Sequence, residues 1–142
     1  MNRAQLQKLV EVRVGDAAYL LVAQRWEAAY YLLGYAVECA LKSCVLRYQH
    51  DTGAIFADAD YLKIVAGCWT HDVKRLLRLA GLERELGSAC GANPALKGHW
   101  DVVAMWSEGS RYRLPTAAEA RALYEAVTDE PNGVLQWIRA RW

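Results

Sequence analysis

Proline is scarce and late in this chain, at positions 94, 115 and 131 only. Nothing before residue 94 therefore forbids helical backbone through a missing amide. Sustained period-two alternation bounded by turns is also missing, which argues against strands. The four cysteines, Cys39, Cys44, Cys68 and Cys90, form no C-x-x-C pair. Structural zinc sites normally take closely spaced ligand pairs, so no metal is expected. Neither charge sign dominates: 17 basic residues face 16 acidic ones, a net +1. That balance lacks the electrostatic footprint of broad, non-specific nucleic-acid binding. No apolar run is long enough to span a bilayer, and the opening MNRAQLQKLVEVR is amphipathic and charged, without the apolar core of a signal peptide. Phosphate-loop, dinucleotide and H-E-x-x-H motifs are all missing. These absences predict a cytoplasmic chain with reduced, buried thiols, no cofactor and no membrane partner.

What is present is helix. The 142 residues, 54% of them apolar, suffice for one core and one domain spanning 1–142. Leu6, Leu9, Val10, Ala17, Leu20 and Leu21 recur at helical spacing over 3–24, with Gly15 as a weak point. Residues 25–49, RWEAAYYLLGYAVECALKSCVLRYQ, are the most apolar stretch and predict the central helix. A loop is expected at 50–60, then a short helix at 59–66 ended by Gly67. Asp72 is placed to cap VKRLLRLAG, with Gly81 as its stop. A short helix over 82–90 is closed by Gly91 and Asn93, and Pro94 opens another running to about Trp106. SEGSRYRLPT reads as a loop. Thr116 and Glu119 make a capping box for a helix through Leu123 and Val127. Pro131 and Asn132-Gly133 interrupt it before a last segment, VLQWIRARW. The expected fold is all-α, an up-and-down bundle of four main helices with short connecting ones.

Three groups of residues could carry chemistry. Tyr31, Tyr35, Glu38 and Lys42 fall at i, i+4, i+7 and i+11, on one face of the central helix. This stripe is either a solvated face with aromatic support or a covered cluster whose charges need partners, Arg111 being the natural one. The run W-S-E-G-S-R-Y-R at 106–113 sets Arg111 and Arg113 around Tyr112, ahead of a helix start. Arg111 there is a staple to Glu38 with Tyr112 packed below, a phosphate or nucleotide ligand, or a solvent-exposed side chain. His71 beside Asp72 is either a turn-closing residue or a general base. His50 and His99 stand alone, Ser107 and Ser110 have no motif-spaced base, and the six tryptophans read as core and interface anchors.

The run RWEAAYYLLGYAVECALKSCV at 25–45 resembles the signature helix of prokaryotic HEPN-domain proteins, through Ala29, Tyr30, Tyr31, Leu32, Gly34, Tyr35, Glu38, Leu41 and Lys42. His71 with Val73, Leu76 and Leu77 is similar to a second segment of that family, and Trp106 with Arg111-Tyr112 to a third, so the resemblance covers about 15–128. It implies a helical bundle that usually forms a homodimer. Many members are ribonucleases, often toxins, while others bind nucleotides or accompany a nucleotidyltransferase as partner protein. The family's ribonuclease motif is an Arg followed, after about four to six intervening residues, by a His on the same helix. Arg111 matches the Arg, but Thr116, Ala117 and Ala118 stand where the His falls, and none can transfer a proton.

The expectation is therefore a non-catalytic module binding a nucleotide, RNA or a partner protein. Arg111 would hold a phosphate, Glu38 would orient Arg111, and Tyr35 or Tyr112 would stack on a base, with Lys42 and His71 completing the site. The alternative is a ribonuclease toxin of a toxin–antitoxin or defence system, with His71 and Arg111 as its catalytic pair.

Overall fold

A computed structural model describes residues 1–51 and 66–142. Its described residues form seven α-helices and no strand, an all-α bundle. Helix α1 (Arg3–Val22) is capped by Asn2 and Gln5 in a capping box, which satisfies two amides that the first turn leaves without partners. It passes through Gly15 without a break. Helix α2 (Trp26–Asp51) follows a three-residue turn in which Gln24 takes a positive φ of 60°. The long α1 and α2 pack along each other, and α2 also touches the helices from the C-terminal half. It is the axis of the core: Leu33, Ala36, Val37, Ala40 and Leu41 are fully buried.

The expected loop at 50–60 and short helix at 59–66 lie mostly outside the described residues. His50 and Asp51 complete α2, and helical backbone at Ala66 extends through Gly67. Helix α3 (Val73–Leu79) starts where the Asp72 carboxylate accepts from the amides of Lys74 and Arg75. It stops before Gly81, whose φ of +71° is the left-handed conformation that glycine adopts at no steric cost. Asn93 ends α4 (Glu83–Ala92) and caps α5 (Pro94–Val103), with Pro94 at the first turn. Leu96, Val103 and Trp106 turn inward, with Trp100 half-buried.

One sequence expectation needs correction. The segment 107–116 is not simply loop, since Glu108–Tyr112 form a 3-10 turn inside a Ser107/Ser110 capping box. Its short side chains close on the backbone where an α-helix would need a longer apolar face. Of the tryptophans, Trp106 is buried and Trp69 is 89% exposed in the turn after Gly67.

Helix α6 (Ala117–Thr128) opens on the Thr116/Glu119 capping box, and α7 (Val134–Arg139) buries Leu135 and Ile138 against the core. Arg139 ties α7 to α1 through a forked pair with Glu11, 2.7 Å to each carboxylate oxygen. Hydrogen bonds from the Thr116 amide, then its hydroxyl and then Arg113, hold the Glu119 carboxyl below its ordinary range. The folded pKa is the lower one, so this contribution is complete above the unfolded value and is lost as pH falls through the folded value. Thr116→Ala should cost about 1 kcal/mol in urea denaturation at neutral pH. Glu119→Gln should flatten the acid limb of the stability curve; an unchanged limb refutes the assignment.

Of the cysteines, Cys39, Cys44 and Cys90 are buried, Cys68 is half-buried, and none forms a disulfide. Burial pushes the Cys44 thiol up to about 11, so it stays protonated and unreactive near neutral pH. Among the described residues, no helix is long and apolar enough to cross a membrane, and no group of three or more His, Cys, Asp or Glu could hold a metal ion.

Candidate functional site

The polar stripe of α2 is half-covered, with Tyr31, Tyr35 and Lys42 half-buried around a buried Glu38. Glu38 is 3% exposed, one of three buried polar or charged residues among those described. A buried carboxylate must be paired, because its hydration is lost. Lys42, one turn on, donates from Nζ to Oε1 at 2.7 Å, and His71 Nδ1 lies 3.0 Å from Oε2. With Glu38 ionised, Nδ1 carries the proton and donates. The Asp72 cap matters for this pair, since it starts α3 one residue after His71 and so fixes where that side chain enters.

Glu38 does not pair with Arg111, as the sequence suggested. Between them stand His71 and Glu108. The Glu108 carboxylate oxygen Oε1 lies 3.6 Å from His71 Nε2 and 2.9 Å from an Arg111 guanidinium nitrogen. The groups run Lys42, Glu38, His71, Glu108, Arg111, with carboxylates alternating with basic side chains. The physical reason is reach. Arg111 sits at the end of the 3-10 turn and meets the acid one turn back, whereas His71 enters from α3 directly over Glu38.

Aromatic rings wall the cluster. The Tyr31 and Tyr35 hydroxyls are 2.9 Å apart, and Tyr35 meets His71 and Trp106 edge-on at 5.9 and 5.5 Å between centroids. Burial, then the bond to Tyr31, pushes the Tyr35 hydroxyl well above the ordinary tyrosine range, so it remains a neutral phenol. Hydrogen bonding with Tyr31, more than its salt bridge to Glu108, raises the Arg111 pKa further and keeps it a fixed cation. The Arg111 guanidinium also stands 4.9 Å from the Tyr112 ring centroid, and both are exposed. Arg113 turns the other way, to Glu119 at 3.0 Å.

The remaining candidates fall elsewhere. His99 pairs with Asp129 at 3.2 Å, between α5 and the end of α6. His50 ends α2. Ser110 is buried and serves the 3-10 turn, its Oγ 3.4 Å from the Ser107 amide. Sequence reasoning missed Glu108, although its i, i+3 spacing to Arg111 was a usable signal. It also missed why Gly34 interrupts an apolar helix. The Trp106 indole lies directly on that glycine, where a Cβ would come within 1.9 Å of the ring.

Fold and site together define a helical bundle with a half-covered acid–base cluster ending in a presented arginine–tyrosine pair. Compared with family models, with curated proteins and with solved structures, the chain matches none.

Proposed function

We propose that this chain is a HEPN-type binding module, homodimeric and non-catalytic, that takes a nucleotide or a nucleic-acid phosphate at Arg111. The observation that carries this reading is the presentation of Arg111 itself. Its side chain is 44% exposed, and the guanidinium is held by Glu108 at 2.9 Å and stands over the exposed Tyr112 ring. A fixed planar cation suits bidentate phosphate binding, and an exposed tyrosine beside it suits stacking on a base. Tyr35, Glu38, Lys42 and His71 position these groups from behind. The HEPN resemblance adds a second copy of the chain, and a nucleotidyltransferase, as partner proteins.

A second reading has its own observation. Glu38 orients His71, and Glu108 touches both His71 and Arg111, so an imidazole and a guanidinium converge within one subunit. With Nδ1–H engaged, Nε2 is the basic nitrogen. It would take the proton of a ribose 2′-hydroxyl while that oxygen attacks phosphorus. The 5′ oxygen would leave, protonated by solvent, and Arg111 would neutralise the crowded phosphate. This is the ribonuclease-toxin alternative, with His71 in place of the family's histidine.

Calorimetry with ATP, AMP and a short single-stranded RNA tests both. Binding by the wild type, weakened about tenfold or more in Arg111→Ala as one charge-assisted contact requires, supports the module. Equal binding by the two proteins, or none by either, removes the site. RNA cleavage during the titration that is lost in His71→Ala would move the assignment to the ribonuclease.

A further inference from the structure

The Tyr31–Tyr35–Glu38–Lys42 stripe also lines a cavity of about 690 Å3 between α1 and α2, which among the described residues neither Arg111 nor His71 lines. Its volume falls within the range that holds small-molecule ligands. The body of the cavity is apolar, built from Leu6 and Leu9 of α1 and Leu32 and Leu46 of α2, with the exposed Trp69 ring at its mouth. Its polar groups gather on the Glu38 wall. There the Lys42 ammonium and the Arg13 guanidinium stand with one carboxylate, Glu38. That carboxylate already accepts from Lys42 at 2.7 Å and from His71 at 3.0 Å. Lys42 spends one of its three donors on Glu38, and Arg13 has only a loose 3.5 Å contact with Asp16 among the described residues. Among the described residues Glu38 is saturated and Asp16 meets Arg13 only loosely, so Lys42 and Arg13 keep unused N–H donors at the end of an apolar chamber.

From this arrangement we infer a second binding site, for a monomeric amphiphile with a single carboxylate head and an apolar body, such as a medium-chain fatty acid. The head takes Lys42 and Arg13, and the chain lies along the four leucines. A carboxylate head accepts from both cations as an ion pair, whereas an alcohol oxygen accepts without that charge pairing. Free monomer is the form the cavity fits, because its apolar surface is recessed between two helices rather than spread over one face. The site does not depend on phosphate binding at Arg111.

Calorimetry with decanoate and decanol, both below their aggregation limits, tests it. Decanoate should bind wild type about tenfold more tightly than decanol, the ratio expected of one charge-assisted contact. Lys42→Met and, separately, Arg13→Gln should each erase much of that preference; Arg13→Gln leaves the Glu38 pairs intact and so guards against misfolding in the other variant. Leu9→Trp, which fills the chamber, should abolish binding of both with an unchanged circular dichroism spectrum. Arg111→Ala should bind decanoate like wild type, whatever it does to ATP. Equal affinity for acid and alcohol, undiminished binding by Leu9→Trp, or binding only to phosphatidylcholine vesicles doped with decanoate would each overturn the inference.

Discussion

Gly34→Ala is expected to destabilise the protein by about 3 kcal/mol, the upper end of what overpacking a core costs. Alanine is normally the better helix former by about 1 kcal/mol, so the expected sign is opposite to propensity. The reason is the Trp106 ring, three of whose atoms lie within 2.1 Å of the site a Cβ would take. Trp106 is 3% exposed and cannot swing into water without giving up its burial. It also cannot shift sideways freely, because Tyr35 packs edge-on against it and Tyr31 lies 6.4 Å from it. Urea denaturation of a double-mutant cycle measures this directly. Trp106→Ala should itself cost about 3–5 kcal/mol, and Gly34→Ala made in that background should cost almost nothing. Additive losses would mean that the ring and the glycine are independent, and the packing account would fail. The same shift should reach the site, because the displaced indole pushes on both tyrosines. A weakened ATP response in Gly34→Ala would follow from that displacement.

Glu38→Ala is expected to cost about 3 kcal/mol, at the low end of what breaking a buried ion pair costs. Two magnitudes decide the low end. Glu38 is almost fully covered, but Lys42 and His71 remain 24% and 38% exposed. Once stranded, both can recover part of their hydration, so the penalty stays below that of fully buried partners. Replacing the pair together, as Glu38→Leu with Lys42→Met, should cost less than Glu38→Leu alone, since no uncompensated ammonium is then left against the apolar wall. Chemical denaturation of the three proteins checks the order. A single Glu38→Ala variant as stable as wild type would show that the cluster does not hold α3 to α2. The loss would also reach the rest of the cluster, because His71 is held by this carboxylate and meets Glu108, which in turn holds Arg111.

Much of the helical architecture was legible in the chain because its signals are local. Asp72, Asn93-Pro94 and Thr116 with Glu119 each satisfy amides within three residues of themselves, and Gly81 adopts its positive φ whatever lies across the bundle. The α2 stripe was legible for the same reason: a helical period determines which side chains share a face. The 3-10 turn at 108–112 was not, because glycine and serine point equally to open loop and to a tight turn, and only the closure of Ser107 on Ser110 distinguishes them.

Sequence alone thus determined the all-α class, many of the helix starts and stops, and most of the polar groups of the cluster, Glu108 excepted. Which of those groups meet was decided by tertiary structure. Glu38 received His71 rather than Arg111, Glu108 became the link between His71 and Arg111, and Trp106 came to rest on Gly34. Such pairings depend on the relative placement of helices separated by tens of residues. That placement is set by how whole apolar faces interlock, and no short-range spacing encodes it.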